Sequence, residues 1–295
     1  MAAIGAAFTL GDMVEEVVSN LYGFSNAYDQ MVGLTADVTA AALTLPLDSV
    51  DGIGRGLVEI DNELIWIAAI NRDTKMATIP AWGRGFRGTA KVAHRAGAIV
   101  TISPTWPKST VIREVNNVIN GLYPSLFAVD ALDYTLASFD DRILPLPLEA
   151  ERILGVRTKD HTGAWIPVRD YDLLREADGT KLELLSCVVP KAVFRVLYSK
   201  SPSRLVSLDD TFAKTGLPES CRDVVTLGTQ ARLVPYLDVA RLPVASVEAD
   251  EMQQSRPVGA ALTLSKELKA TYQSRLVIEA NKLQDRYPVQ IRRTR

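Results

Sequence analysis

The stretch GLVEIDNELIWIAAI, residues 56–70, constrains the fold more than any other part of the chain. Its apolar residues follow the two-residue period of a strand on either side of Asp61-Asn62, a pair that tolerates turn geometry. That pattern predicts an antiparallel hairpin and suits no helix of period 3.6. Neighbouring segments extend it. VTAAALTLPL (38–47) alternates small or apolar residues with threonines, NRDTK (71–75) reads as a second turn followed by MATIPAW, and GAIVTISP (97–104) reads as a last strand. Four or five short strands over 36–102 predict a small antiparallel barrel or sandwich.

Elsewhere the period changes. Met13, Val14, Val17, Val18 and Leu21 predict a helix over 10–21, with Thr9 as cap and Gly23 as stop. Val111, Ile112, Val115, Val118, Ile119 and Leu122 form one stripe over 105–121, entered at Pro107 and ended by Gly121 and Pro124. Residues 125–207 return to strand-length segments, with ADGT (177–180) as a turn and Pro145 and Pro147 marking an edge or a connection. The last 90 residues read as helical: 218–242, broken or kinked at Pro235, and 264–286, striped by Leu264, Leu268, Tyr272, Leu276, Ala280 and Leu283. The polar segment 243–260 between them reads as a loop, and 287–295 as an extended arm.

The expected fold class is α+β: a bundle of long helices with inserted antiparallel β modules. The expected organisation is an N-terminal helix and linker (1–32), a small β module (33–104), and a core (105–295). That core comprises helices 105–121, 218–242 and 264–286, an inserted β domain at 125–207 and the arm.

Totals narrow the function classes. A formal charge of −2 over 295 residues gives no global field toward nucleic acid or an acidic membrane. Two cysteines, Cys187 and Cys221, make neither a disulfide framework nor a zinc site. The N-terminus meets Asp12, Glu15 and Glu16 early and lacks a basic region, so it does not read as a signal peptide. No apolar run reaches the ~18 residues of a membrane span. A catalytic triad would have to use His94 or His161, the two histidines present. No cofactor or metal is expected.

The loop WGRGFRGTAKVAHRAGAIV (82–100) holds Arg84, Arg87, Lys91, Arg95 and His94 among four glycines. Gly83, Gly85 and Gly88 have the GxGxxG spacing, but the loop leaves an antiparallel meander and opens no βαβ unit. The expected role is a turn. Gly83 and Gly85 permit positive φ, Thr89 caps a helical turn over AKVAHRA, and Gly97 ends that turn. His94 bonds a backbone group, while the arginines are solvated or meet a neighbouring subunit. Asp130, Asp133, Asp140 and Asp141 could pair for acid–base work on glycosides, but acids at strand ends more often form turns or face solvent. Cys187 reads as core, and Cys221 has no nearby histidine to activate it. At the C-terminus, Tyr287, Val289 and Ile291 alternate with polar residues or proline, and Arg292, Arg293 and Arg295 follow without an acid. An extended arm of this kind can add a strand to a partner or thread its groove.

These pieces resemble structural proteins of tailed bacteriophages. In GRGFRGTAKVAHRAGAIV an RG…GT…H…GA.V pattern closes a β module. The run IREVNNVINGLYPSLFAV, with FRVLYSKSPSRL and TGLPESCRDVVTLGTQARLV after it, is similar to head-to-tail adaptors of long-tailed phages. The resemblance covers about residues 82–240. It implies a structural virion protein, not an enzyme, that is made in the host cytoplasm and placed at the head–tail junction. Such adaptors form a dodecameric ring beneath the portal, continue the DNA channel and contact the next neck or tail-completion protein. DNA passes without specific binding, and no membrane is involved. Carried onto this sequence, the portal-docking segment is Tyr287, Val289, Ile291, Arg292, Arg293 and Arg295. Arg84, Arg87, Lys91 and Arg95 are then expected at a subunit or tail-side contact. The β module at 33–104 exceeds the minimal adaptor pattern and keeps a tail or baseplate position open. Two other readings stand beside it: a virion hydrolase acting through His94 or the 130–141 acids, and a DNA-binding module using the loop's basic residues.

Overall fold

The computed structural model describes residues 7–24, 29–138, 141–176, 179–185, 191–239 and 260–288. The chain divides into two compact units: one of 11–115 and 229–266, the other of 1–10, 116–228 and 267–295.

In the unit that contains 11–115, seven short strands make two sheets. They are β1 (Gln30–Gly33), β2 (Thr44–Pro46), β3 (Gly56–Ile60), β4 (Glu63–Ile67), β5 (Ala69–Asn71), β6 (Met76–Thr78) and β7 (Ile99–Ile102). One sheet runs β1-β7-β3-β4 and the other β2-β6-β5, and their paired strands are antiparallel. The β3–β4 hairpin is closed by two residues, since Ile60 pairs with Glu63, and Asp61 takes φ 54. The β5–β6 turn is held by Asn71, whose Oδ1 accepts from the Asp73 and Thr74 amides. Val32, Leu45, Leu47, Val58, Ile60, Ile65, Ile67, Ala77 and Val100 belong to one continuous core. Burying a side chain of this kind is worth about 1.5–3 kcal/mol, so the small sheets are stabilised by this shared interior more than by their short ladders. VTAAALTLPL supplies only β2. Its Val38 pairs with His94 as an isolated bridge.

The other unit repeats the plan with β8 (Ala128–Thr135), β9 (Ile143–Pro145), β10 (Arg152–Lys159), β11 (Trp165–Val168), β12 (Tyr171–Glu176), β13 (Gly179–Leu184) and β14 (Val193–Lys200). The sheets are β11-β10-β14-β8 and β12-β13-β9. Their inward residues, among them Leu144, Val156, Tyr171, Leu182, Phe194 and Val196, form a second core.

The α-helices among the described residues are α1 (Leu10–Phe24), α2 (Lys108–Gly121), α3 (Arg222–Leu233), the single turn α4 (Tyr236–Val239) and α5 (Ala260–Arg286). Among the described residues only α5, at 27 residues, is long. No helix among the described residues is long and apolar enough to cross a membrane.

The expected bundle of long helices with inserted β modules is therefore wrong. The protein is built mainly of four antiparallel sheets, and two core clusters are lined by strands and their loops, while α1 and α2 bury apolar stripes of their own, Leu10, Met13, Val17 and Leu21 on one and Val111, Val115 and Ile119 on the other. Two physical reasons account for the error. The stretch 206–221, read as the start of the helical end, is opened by Gly216 and Pro218 and held by side-chain caps. Asp210 accepts from the Val206 and Ser207 amides there, and only 3-10 turns form at 212–215 and 219–221. In addition, the α5 stripe is incompletely covered. Leu264, Leu268, Tyr272 and Leu276 are half-buried, whereas Ala280 and Leu283 are buried. A helical period shows which face is apolar, but it does not show that the face carries the core.

Candidate functional site

The 82–98 loop packs against the β3–β4 hairpin through one buried carboxylate. Glu63 opens β4 with its side chain fully buried, in a strand otherwise made of Leu64, Ile65, Trp66 and Ile67. An unpaired charge there would be prohibitive, and five donors meet it. Oε1 accepts from Arg84 Nε and the Gly85 amide, both at 2.8 Å. Oε2 accepts from Arg84 Nη2 at 2.9 Å and the Val92 amide at 3.0 Å, and lies 3.0 Å from His94 Nε2. Arg84 spends its whole guanidinium. Besides the fork onto Glu63, Nη1 donates to the Thr39 and Ala42 carbonyls at 2.7 and 3.2 Å, and Nη2 to the Val92 carbonyl at 2.6 Å. His94 Nδ1 lies 2.8 Å from Asp61 Oδ2 in the hairpin turn. Each ring nitrogen of His94 thus faces a carboxylate oxygen.

Burial alone would push the Glu63 carboxyl up. The Arg84 fork, the Val92 and Gly85 amides and the His94 contact outweigh it and bring the group down to about 2. The cluster is thus a charged clamp buried with the Glu63, Arg84 and His94 side chains.

The rest of the loop is equally committed. The Gly83 carbonyl accepts from the Trp66 amide, and a Cβ on Gly83 would come within 2.8 Å of Ile79, Pro80 and the Trp66 carbonyl oxygen. Gly85 takes φ 62, Arg87 φ 55 and Gly88 φ 81 around a 3-10 turn at Phe86–Gly88. Thr89 Oγ1 accepts from the Leu64 amide and donates to the Phe86 carbonyl. Gly97, at φ 85, donates to the Leu34 carbonyl, and Val100 is buried.

Three expectations for this loop fail. Residues 89–95 form no helical turn, because His94 pairs its backbone with Val38 and Val92 turns its amide onto Glu63; the chain turns only at Ala96 and Gly97. The His94 ring bonds carboxylates and not the backbone. Arg84, at 3 % exposure, is neither solvated nor free to meet a subunit. Arg87, Lys91 and Arg95 are exposed. Glu63, the hub, was not singled out from the sequence. Its signal was an acid inside an apolar strand beside a loop with four basic residues and no acid.

The acidic cluster disperses. Asp130 bonds Lys200 at 2.8 Å, Asp133 forks onto Arg195 at 2.7 and 2.6 Å, and Asp141 accepts from the Ala137 and Ser138 amides. Positions 130 and 133 differ by an odd number on β8, so they point to opposite faces of the sheet. Asp140 lies outside the described residues. Cys221 is buried, and burial pushes its thiol up to about 11, away from nucleophilic use. Cys187 lies outside the described residues. No group of three His, Cys, Asp or Glu side chains among the described residues could hold a metal ion.

Of the expected docking segment, Tyr287 packs on Phe127, with ring centroids 6.5 Å apart, and Arg286 lies 5.7 Å from the Tyr287 ring. Val289, Ile291, Arg292, Arg293 and Arg295 lie outside the described residues.

Compared with protein-family models and with curated proteins, the chain matches none.

Proposed function

We propose that this chain is a structural virion protein of a tailed phage, working at the head–tail junction as an adaptor that joins portal to tail. The observation that carries the reading is how the RG…GT…H…GA.V pattern is spent. Arg84, Gly85, Gly88, Thr89, His94, Gly97 and Val100 each have a part in folding the loop onto its β module. The pattern on which the resemblance to phage structural proteins rests thus has a structural use at each of these positions. The reading rests on that loop and not on a helical bundle.

Exposed apolar side chains on α5 agree with assembly beside neighbouring copies. Leu262, Val277 and Ile278 are 53, 57 and 41 % exposed. In this reading the protein forms a ring around the DNA channel, meets the portal through Tyr287 and the residues after it, and passes its other face to the next neck protein. DNA slides by without specific contacts.

The two β cores favour one second reading, a tail or baseplate component that uses its β modules for attachment. The hydrolase reading gains nothing from the geometry. The His94 ring is fully buried between two carboxylates, and Asp130 and Asp133 are tied in ion pairs.

Gold-labelled antibody imaging of intact and tail-stripped particles tests the placement. Label at the neck, retained on DNA-filled heads, is expected. Label at the distal tail would move the protein to the second reading, and absence from particles would overturn both. Deleting residues 288–295 is expected to abolish portal attachment without unfolding the β modules; normal attachment by the truncated chain would remove the arm's role.

A further inference from the structure

With Arg84 and His94 turned inward, the outer surface of the loop is aromatic and basic. Trp82 is 59 % exposed, Val92 41 % and Leu43 47 %. The Ala42 and Val92 carbonyls share the Arg84 guanidinium, so Leu43 and Val92 are held on neighbouring segments. Trp66, Trp82 and Phe86 form one ring cluster, with centroids 5.5 to 6.1 Å apart. The Arg87 guanidinium stands 6.0 Å from the Phe86 ring. Lys91 lies over Gly85, where a Cβ would come within 2.8 Å of its Cγ. The buried clamp fixes this surface in advance, so little conformational freedom is lost on binding. An exposed tryptophan beside arginine on a rigid loop has the composition of a binding hot spot.

Charge indicates what it binds. Residues 82–98 carry four basic residues and no acid, whereas the chain as a whole is at −2. The opposite imbalance lies on α1, which holds Asp12, Glu15 and Glu16 and no lysine or arginine. Leu10, Met13, Val14, Val17 and Leu21 are buried, so the outer side of α1 presents Asp12 and Glu15, the latter bonded to Lys108 Nζ at 2.9 Å, with the half-buried Glu16 and Val18. We infer that the Trp82–Arg87–Lys91 surface of one copy docks on the acidic outer side of α1 in the next. Val18 and the helix backbone receive the tryptophan, and the acids receive the two cations. The two surfaces differ, so the contact is head-to-tail and repeats around a ring. This rests on the ring-forming reading above and adds which surfaces meet.

Sedimentation of the purified full-length chain over a range of concentrations tests it. Arg87→Glu and Glu16→Lys are each expected to weaken self-association roughly ten-fold or more, and the double variant to recover to within roughly three-fold of the parent. Trp82→Ser is expected to weaken it without any charge change. Circular dichroism and a melting curve confirm that each variant is folded. A parent chain that stays monomeric, single variants that assemble normally, or a double variant that recovers nothing would each overturn the contact. So would salt-dependent binding of duplex DNA lost in Arg87→Glu while self-association is unchanged. A monomeric protein located at the neck defeats this contact alone. A protein at the tail tip that associates through it defeats the adaptor reading alone.

Discussion

Arg84 and Glu63, 21 residues apart in sequence, meet side by side in the interior through two nearly parallel hydrogen bonds of 2.8 and 2.9 Å. Their side chains are 2 % and 0 % exposed. Removing Arg84 takes the cation and two of five hydrogen-bond partners from a buried carboxylate. Arg84→Ala is therefore expected to cost about 3–5 kcal/mol. Urea denaturation followed by tryptophan emission measures this, since Trp66 and Trp82 flank the loop. Arg84→Lys keeps the charge but cannot make the fork or reach three carbonyls, so it is expected to recover less than half of the loss. A stability unchanged within error in Arg84→Ala would show that the pair is not a clamp.

Glu63 also sets the acid limit of its β module. Its carboxyl is brought down to about 2 in the folded protein, against an ordinary value of 4.5. A depressed acid contributes stability that is fully present above the unfolded value and is lost as pH falls through the folded one. The window is thus pH 4.5 to 2, and the loss is about 3 kcal/mol. Glu63→Gln removes this slope and is less stable at neutral pH. A parent protein whose stability is flat between pH 5 and 2.5 would contradict the assignment.

Two glycines in the same turn separate strain from clash. Gly85 and Gly88 both take positive φ, at 62 and 81. A Cβ on Gly85 would lie 2.7 Å from the Thr89 carbonyl oxygen, whereas one on Gly88 meets nothing within 4 Å. Gly88→Ala is expected to cost about 1 kcal/mol, the ordinary penalty of left-handed backbone. Gly85→Ala adds displacement of a main-chain oxygen and of the amide that bonds Glu63, and is expected to cost about 2–3 kcal/mol more. Equal losses in the two melting curves would mean that the close approach is relieved at no cost.

What the sequence disclosed here was local. The β3–β4 hairpin follows from a period of two and a turn pair, both contained within a dozen residues, and α2 follows from six apolar residues on one stripe and its flanking prolines. Which elements supply the core was not local. The α5 stripe has a clear period, yet four of its six residues are only partly covered, and, beside the buried faces of α1, α2 and α3, much of the core sits in strands three to eight residues long that carry weak periodic signals. The clamp was hidden for another reason. Arginine and glutamate are rarely fully buried unless paired, so each alone reads as surface, and only their meeting across 21 residues reverses that reading. The sequence held one clue, the acid-free basic loop opposite a lone acid in an apolar strand.

Glu59, two strand positions from the hairpin turn, should oppose Glu63 in its response to pH. It is 5 % exposed, and its Oε1 accepts from the Lys108 amide at the start of α2 at 2.8 Å. Burial pushes its carboxyl up to about 7, with further upward pressure from Asp29 and Glu15, while the Lys108 amide and ammonium pull the other way. A carboxyl raised in the folded state contributes stability that is fully present below its unfolded value of 4.5 and is lost as pH rises through 7. Between pH 5 and 8.5 the parent is thus expected to lose about 2–3 kcal/mol. Glu59→Gln keeps an oxygen to accept from Lys108 and cannot ionise, so it should flatten that slope and be the more stable protein at pH 8.5. Melting temperatures of both proteins across this range decide the matter. Parallel curves would mean that Glu59 is ionised throughout and that its helix-capping bond, together with the Lys108 charge, outweighs burial.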